Sequence, residues 1–239
     1  MQSVSVCMAT YNGEEFISQQ IKSIINQLNN DDELIISDDG STDGTLKILA
    51  AFNDPRIKVY HNNGPKGPVM NFQNAMLKAN GIIIFLADQD DIWFENKIST
   101  MKNYLEEYDL VVCDCNIVDN ELNIIKPSFF LHHGSGAGFI KNLKRNTYMG
   151  NCMAFKKEML KLALPLPSNI PNHDLWLGVV ADLFYRPIFI NEVLGQHRRH
   201  NNNASNTFDI KIATSFWQKI NKRVLVFRAL PRLLIRKIM

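Results

Sequence analysis

Three carboxylates occur within four residues of one another in the first half of the chain, at Asp88, Asp90 and Asp91. They follow an apolar run at residues 82–86, which is typical of a buried strand. Acidic side chains this close repel one another unless a positive charge lies among them. Mg²⁺ and Mn²⁺ prefer such oxygen ligands, so the cluster predicts a divalent cation site. The alternative is a solvated turn that caps the next helix.

The elements that must position these carboxylates are predicted from hydrophobic spacing. Short apolar runs rich in Val and Ile alternate with segments whose apolar residues recur at helical spacing. This alternation over about the first ninety residues favours a mostly parallel sheet with helices on both faces. The predicted strands span residues 4–9, 33–37, 57–60 and 82–86, and the predicted helices span residues 14–27, 46–52 and 69–79.

Polar residues follow three of these strands, at residues 10–12, 38–39 and 88–91. In open parallel sheets the carboxyl ends of the strands share one edge, and ligands bind there. No GxGxxG sequence follows the first strand, and no GxxxxGK[ST] sequence occurs in the chain, which argues against a dinucleotide-binding turn and a P-loop. A phosphate-bearing ligand held through a metal ion fits the remaining features.

Composition excludes several classes of protein. The 239 residues are 46% hydrophobic, which is ordinary for a folded protein of one large or two small domains. A net charge of +2 argues against bulk binding of nucleic acid. The four cysteines lack the CxxC spacing of a metal site, and no apolar run approaches the ~20 residues of a membrane span. Without a signal-peptide pattern, a cytoplasmic location is expected.

Three blocks of sequence together resemble the inverting family 2 glycosyltransferases in order and spacing. They are VSVCMATYNG at residues 4–13, ISDDGSTDGT at residues 36–45 and ADQDD at residues 87–91. The resemblance covers roughly residues 3–205. It implies the α/β GT-A fold and transfer of a sugar from a nucleotide-sugar donor. The nucleotide-sugar-binding half would be residues 1–95, and the acceptor-binding half would be residues 96–205.

The resemblance also assigns roles to residues of the first half. Thr10 and Tyr11 would line the base pocket, and Asp39 would accept a hydrogen bond from a pyrimidine N–H. Asp88 would lie near the ribose, and Asp90 would bind Mn²⁺ or Mg²⁺. The full implied donor-binding set is Ala9, Thr10, Tyr11, Asp39, Lys66, Asp88 and Arg198.

Simpler roles remain open for three nearby residues. Asp38 could cap the turn that follows its strand. Lys66 lies in a loop rich in Gly and Pro, where an exposed lysine is usually solvated. Asp91 is expected to orient the acidic loop or to cap the next helix rather than to bind the metal.

The second half carries a candidate for proton transfer at His173 and Asp174. An inverting transfer needs a general base that takes the proton of the acceptor hydroxyl as it attacks the anomeric carbon. The family supplies this base from a Glu-Asp type pair at a helix start, which by position implies Asp174. His173 in place of the first acid resembles the rhamnosyltransferase-like branch. Asp174 as a purely helix-terminal acid and His173 as the base both remain open.

A third polar feature spans residues 196–205, after a strand-like run at residues 189–194. The resemblance implies that His200 is a metal ligand and that Arg198 balances the charge of the diphosphate. The alternative for His200 is a structural or solvated histidine. Earlier in this half, residues 131–138 predict a flexible loop rich in Gly and His.

The last segment, residues 206–239, differs in character from the rest of the chain. Eight Lys and Arg residues and no acid occur between residues 211 and 237, interleaved with apolar side chains that include Phe216 and Trp217. A basic amphipathic helix of this kind is typical of a segment in the membrane interface. The alternatives are a helix docked on the protein body or on a second subunit. Pro231 would kink it.

Together these features predict an inverting, metal-dependent glycosyltransferase of cell-surface polysaccharide biosynthesis. The predicted donor is dTDP-rhamnose first and a UDP-hexose second, and the acceptor is a glycan or a lipid-linked sugar. We expect peripheral association with the inner face of an anionic membrane and no nucleic-acid partner, while a homodimer remains open. The alternatives are a UDP-galactosyl or UDP-glucosyl transferase of the same fold, a non-catalytic nucleotide-sugar-binding subunit and a nucleotide-sugar hydrolase.

Overall fold

The computed structural model describes residues 2–167, 170–200 and 216–238. The strands are β1 (Val4–Thr10), β2 (Glu33–Asp38), β3 (Ile57–His61), β4 (Ile83–Asp88), β5 (Ile92–Trp93), β6 (Leu110–Val118), β7 (Ile124–Lys126), β8 (Met153–Lys156) and β9 (Pro187–Arg198). The helices are α1 (Ile17–Ile25), α2 (Thr45–Ala51), α3 (Pro68–Lys78), α4 (Lys97–Leu105), α5 (Phe129–His133), α6 (Phe139–Lys144), α7 (Leu160–Ala163), α8 (His173–Phe184) and α9 (Phe216–Ile238). Within the described residues these strands form one sheet, in the order β3-β2-β1-β4-β8-β6-β9-β5 with β7 beside β6.

The first half of the sheet is parallel, in the order β3-β2-β1-β4. β1, β2 and β4 are buried along almost their whole length, as expected of parallel strands covered on both faces. α1 buries Ile17, Ile21 and Ile24 on one helical face. α3 begins with Pro68, whose fixed φ suits the first helical turn. The predicted alternation of strand and helix is confirmed for this half.

The second half of the sheet mixes directions. β8 lies antiparallel between β4 and β6, and β6 pairs in parallel with β9. The mostly parallel sheet predicted from the sequence therefore describes the first half, and the sheet as a whole is mixed. The short β5 pairs with the far end of β9, so that Ile92 lies opposite Gln196. This pairing brings the acidic loop at residues 88–91 beside residues 197–200.

α9 lies against the protein body along one face. Val226, Ala229 and Leu233 are buried. Arg223 Nε donates to a carbonyl of the last turn of α6 at 3.1 Å, and Arg236 donates to a carbonyl of α7 at 2.8 Å. This face matches docking on the protein body, one of the alternatives for the basic segment. Residues 206–215, at the start of that segment, lie outside the described residues.

None of the helices in the described ranges combines the length and the apolar character that crossing a bilayer requires.

Candidate active site

The polar residues that end β1, β2 and β4 meet at one edge of the sheet. Thr10 lies opposite Asp38 in the pairing of β1 with β2, and Ala9 lies opposite Asp88 in the pairing of β1 with β4. Parallel strands in this register end side by side, and ligand sites of open α/β sheets lie outside such ends. The three polar clusters predicted at this edge are therefore neighbours in space.

Asp39 is held in a fixed orientation by the loop that follows β3. Its Oδ1 accepts a hydrogen bond from Asn62 Nδ2 at 2.8 Å, and its Oδ2 accepts one from the N–H of Gly67 at 2.7 Å. Gly67 has a φ of +112°, a region that favours glycine. Lys66 Nζ donates to the Asp39 carbonyl at 2.9 Å and lies 3.7 Å from the carboxylate. Lys66 thus lies against Asp39, although its side chain is largely exposed.

The two residues beside this carboxylate differ sharply in exposure. Asp38 is fully buried and accepts hydrogen bonds from the N–H groups of Gly40 and Ser41. It therefore caps the turn, which was the simpler role left open for it. Tyr11, by contrast, exposes 55% of its surface, so a face of its ring is available for stacking.

Gln89, to which the sequence assigned no role, joins the end of β1 to the acidic loop. Its Oε1 accepts hydrogen bonds from the Thr10 hydroxyl at 2.5 Å and from the Tyr11 N–H at 2.9 Å. Its Nε2 donates to the Tyr11 carbonyl at 3.0 Å. A Cβ atom on Gly13 would lie 2.3 Å from the Gln89 oxygen, so glycine there leaves room for the amide. The position of Gln89 between Asp88 and Asp90 is the sequence feature that could have indicated this role.

Asp91 ties the acidic loop to β9. Its carboxylate is buried and accepts hydrogen bonds from His197 Nδ1 and from the Arg198 N–H, both at 3.0 Å, and from Asn151 Nδ2. Burial alone would lower the pKa of His197, but the charge and hydrogen bond of Asp91 outweigh it and raise that pKa. Asp91 therefore orients the loop, as expected. His197 and Asn151 are site residues to which the sequence assigned no role.

The two implied metal ligands lie together, with Asp90 Oδ2 2.8 Å from His200 Nε2. Burial, followed by the charges of Asp91 and Asp90, raises the pKa of Asp88 well above its ordinary value. A hard divalent cation would relieve this repulsion, so the donor set suits Mn²⁺ or Mg²⁺. Within the described ranges no three His, Cys, Asp or Glu side chains form a cage for a metal. Other oxygen ligands, such as those of a diphosphate, would have to complete the coordination.

The Arg198 guanidinium is 3% exposed and bonds to the protein at each of its three nitrogens. Nε donates to the Asp90 carbonyl at 3.0 Å, Nη1 to the Asn120 carbonyl at 2.6 Å and Nη2 to Gln19 Oε1 at 2.7 Å. Its central carbon also lies 4.5 Å from the centre of the Phe16 ring. These contacts fasten the acidic loop. The predicted contact of Arg198 with a diphosphate stays a prediction.

Asp174 lies in the first turn of α8, where a Cβ atom on Gly150 would be 3.8 Å from the Asp174 Cβ, and the next residue, Asn151, bonds to Asp91 of the acidic loop. Its Oδ1 accepts a hydrogen bond from the Leu175 N–H at 2.7 Å. That contact suits an acid at a helix N-terminus, and it also orients the carboxylate for proton transfer. The predicted base and the donor-binding carboxylates are thus brought to one site.

His173, the alternative base, is packed against the protein. Its ring stacks on Phe72 with the ring centres 4.0 Å apart, and burial lowers its pKa despite the nearby charge of Asp174. Its Nε2 is buried and has no hydrogen-bond partner among the described residues. A Cβ atom on Gly150 would lie 2.7 Å from this nitrogen. His173 is therefore a neutral, enclosed imidazole, a geometry that favours Asp174 as the base.

Comparison with known families decides the class of the protein. The sequence profile described as glycosyl transferase family 2 matches residues 5–162. The chain belongs to this family. The matched region contains the second and third sequence blocks of the resemblance and all but the first residue of the first block, and the predicted glycosyltransferase is confirmed.

Two bacterial relatives illustrate the range of similarity to this family 2 chain. TuaG of Bacillus subtilis (strain 168), a putative teichuronic acid biosynthesis glycosyltransferase, is 26% identical over 243 residues, covering 96% of this chain and 89% of TuaG. WfgD of Escherichia coli, a UDP-Glc:α-D-GlcNAc-diphosphoundecaprenol β-1,3-glucosyltransferase, is 39% identical over 95 residues. That match covers 40% of this chain and 38% of WfgD, so it spans less than half of either protein.

Solved glycosyltransferase structures share the fold. TarS 1–349 of S. aureus in complex with UDP-GlcNAc has a TM-score of 0.68 at 16% identity, covering 97% of this chain and 72% of that chain. The mannosyltransferase PcManGT from Pyrobaculum calidifontis, in complex with GDP-Man and Mn²⁺, has a TM-score of 0.63 at 17% identity, covering 98% and 73%. The predicted GT-A fold is confirmed.

Proposed function

We propose that this glycosyltransferase moves a sugar, with inversion, from a pyrimidine nucleoside diphosphate sugar to a hydroxyl of a lipid-linked or polysaccharide acceptor. One observation carries the proposal: Gly150 lies against Asp174, and the next residue, Asn151, donates a hydrogen bond to Asp91 of the acidic loop, so the candidate base and the donor-binding carboxylates are neighbours. A single displacement needs both groups in one site, because the hydroxyl attacks as the diphosphate leaves.

The nucleotide is proposed to lie across the ends of β1 and β2, next to Ala9 and Thr10. The exposed ring of Tyr11 offers a stacking surface for the base. Asp39 has a carboxylate oriented by its hydrogen bonds from the loop after β3, which suits it to accept the N–H of a pyrimidine. Lys66 adds a positive charge next to that carboxylate, where it is proposed to contact the base or the diphosphate.

Mn²⁺ or Mg²⁺ would be held by Asp90 and His200, with Asp88 beside them. When bound, such an ion neutralises the negative charge that develops on the leaving diphosphate. Two residues keep the loop that carries Asp90 in place. Asp91 accepts a hydrogen bond from the Arg198 N–H in β9, and the Arg198 side chain donates to the carbonyl oxygen of Asp90. Because the chain offers few ligands of its own, we expect metal and nucleotide to bind together.

Asp174 is proposed to take the proton of the acceptor hydroxyl. The hydroxyl oxygen forms a bond to the anomeric carbon while the bond from that carbon to the diphosphate oxygen breaks. The nucleoside diphosphate leaves with the electron pair, and Asp174 holds the proton. A positioned general base contributes roughly 10²- to 10⁴-fold to the rate. The enclosed His173 is the alternative base, which variants at both positions would separate.

The relatives' names bear on the donor and the acceptor. WfgD is named for UDP-Glc as donor and for a diphosphoundecaprenol-linked acceptor. On this ground we place a UDP-hexose before dTDP-rhamnose, which reverses the order favoured by the branch resemblance. Both are pyrimidine nucleotides with the same ring N–H for Asp39, so the geometry of the base pocket suits either.

The outward face of α9 is proposed to rest on an anionic membrane at its cytoplasmic side. Val224, Phe227 and Pro231 are exposed at helical spacing, and Arg228 and Arg232 lie exposed on the same side. Each cation near an anionic surface contributes about 1 kcal/mol to binding. Association would thus use a surface of the folded protein, and binding to vesicles of phosphatidylglycerol tests it. A homodimer through this face stays a prediction.

The proposal is tested first with a panel of donors. Thermal shifts are measured with UDP-glucose, UDP-galactose, UDP-GlcNAc, dTDP-rhamnose and GDP-mannose, each with Mn²⁺ and with EDTA. We expect a pyrimidine donor to stabilise the protein only with the cation, and the Asp90→Asn and His200→Ala variants to lose that shift. An equal shift in EDTA would contradict metal dependence. Rapid consumption of the donor without any acceptor would instead support the hydrolase.

A further inference from the structure

A positively charged surface lies on α6, which packs against the helix of the proposed base, and it has no role in the function proposed above. No Asp or Glu occurs between Glu121 and Glu158, whereas six Lys and Arg residues do. Three of them lie in or directly after α6: Lys141, Lys144 and Arg145, all exposed. A surface of this charge is suited to an anionic ligand.

α6 is fixed next to the candidate base at both of its ends. At its start, the N–H of Gly138 donates to Asp182 of α8 at 2.9 Å. Further along, Asn142 Nδ2 donates at 3.3 Å to the carbonyl of Leu175, the residue after Asp174. The chain then leaves α6 at Arg145 and runs to Gly150, which lies against the first turn of α8. Arg145 therefore lies at the C-terminal end of a helix that packs against the helix carrying Asp174.

The Arg145 guanidinium is held by a buried histidine. Its Nη2 lies 2.9 Å from His133 Nδ1, and His133 Nε2 lies 2.8 Å from the carbonyl oxygen of Asn146. A guanidinium can only donate and a carbonyl can only accept. His133 must therefore be neutral, with its proton on Nε2 and its Nδ1 lone pair directed at Arg145.

The surroundings of His133 keep it in this state. Its ring is 5% exposed and stacks on Phe129, with the ring centres 4.8 Å apart. Burial lowers the pKa of His133, and the charges of Arg145 and His132 lower it further, against the bond to Asn146 and the charge of Asp174.

The guanidinium keeps donors for a ligand. Within the described part of the chain, its contact with His133 is the one hydrogen bond that the Arg145 side chain makes. The remaining N–H groups of this exposed side chain are available. An arginine fixed at one nitrogen presents a preorganised fork, which matches the oxygen pair of a phosphate.

We propose that Arg145, oriented by His133, binds the diphosphate through which the acceptor sugar is attached to its lipid. When such an acceptor carries one sugar, a single ring separates the reacting hydroxyl from the diphosphate. The diphosphate must therefore lie beside the base but not at it, and Arg145 is placed at the end of the helix that packs against the helix of Asp174. This inference rests on the proposed function and narrows its acceptor to glycosyl diphosphate lipids.

The test measures binding of a diphosphate lipid to the full chain. Farnesyl diphosphate is titrated by calorimetry into protein saturated with UDP and Mn²⁺, so that the donor site is occupied. We expect saturable binding that weakens on the order of 10- to 100-fold in Arg145→Gln, as for loss of a charged hydrogen-bonded contact. Lys47→Gln, which removes an exposed cation of α2 outside this surface, should leave the affinity within about twofold of the wild type.

Variants of His133 separate positioning from folding. His133→Gln keeps an acceptor for Arg145 and should retain most of the affinity, whereas His133→Phe should lose it while UDP still binds. Farnesol, which lacks the diphosphate, should not bind. Absence of binding by the wild type, or equal affinity of Arg145→Gln, would overturn the inference. Because UDP binding is measured separately, failure of the donor site is distinguishable from failure of this one.

Discussion

Replacing Asp91 with alanine should destabilise the protein far more than its single carboxylate suggests. Three donors lose their acceptor: His197 Nδ1, the Arg198 N–H and Asn151 Nδ2. A buried donor left unpaired costs about 1–3 kcal/mol, which gives about 3–9 kcal/mol for the three. His197 can give up its proton and the Asn151 amide can reorient, so we expect the lower part of the range, about 3–5 kcal/mol.

A matched control exists at Asp119, whose carboxylate also accepts three hydrogen bonds, from the Glu121 and Asn123 N–H groups and from Asn123 Nδ2. These donors are exposed, so water replaces the lost acceptor, and Asp119→Ala should cost below about 1 kcal/mol. Thermal unfolding of both variants provides the assay, with a fall in Tm of about 10 °C expected for Asp91→Ala. Equal effects of the two substitutions would refute the assignment of Asp91 as the tether of the loop.

Two further outcomes are expected. Burial would raise the pKa of Glu33, but hydrogen bonds, foremost from Lys58, lower it to about 2. Because Lys58 is partly exposed to solvent, which screens the pair, we expect a contribution to stability of about 1–2 kcal/mol, present above pH 4.5 and lost as the pH falls towards 2. Glu33→Gln should therefore lower stability at pH 7 and flatten its acid dependence in denaturant titrations, and an unchanged profile would contradict this. Reversing the charge of Arg228 and Arg232 should abolish binding to phosphatidylglycerol vesicles, whereas Lys47→Glu on α2 should not abolish it. Equal effects of these substitutions would exclude the outward face of α9 as the membrane-binding surface.

Much of the first half of the protein could be predicted from local sequence. Apolar runs of five or six residues separated by helical spacing define β1, β2 and β4, and parallel order places their ends at one edge. The parallel order alone was enough to predict that the polar residues around Asp39 and Asp88 lie at this edge. The hydrogen bond from Asn62 to Asp39 could not be predicted, because nothing in the sequence pairs two side chains that are 23 residues apart.

The second half was less predictable because its structure depends on distant contacts. Residues 131–138 were predicted as a flexible loop, yet the first three belong to α5. That helix is held by Asp114, which accepts a hydrogen bond from the Phe130 N–H across 16 residues of chain. His197 likewise gains its role from Asp91, 106 residues away. β8 lies antiparallel between β4 and β6, and the spacing of its apolar residues does not distinguish an antiparallel strand from a parallel one.

The most direct test of the proposed mechanism is turnover by Asp174→Asn, measured with the donor and acceptor identified by the panels. Removing the general base should lower kcat by roughly 10²- to 10⁴-fold, while calorimetry should find the affinity for UDP with Mn²⁺ unchanged. His173→Gln should retain kcat within about tenfold, because its buried Nε2 is not placed to take the proton. A kcat of Asp174→Asn close to that of the wild type, with the loss appearing in His173→Gln instead, would contradict the assignment of Asp174 as the base.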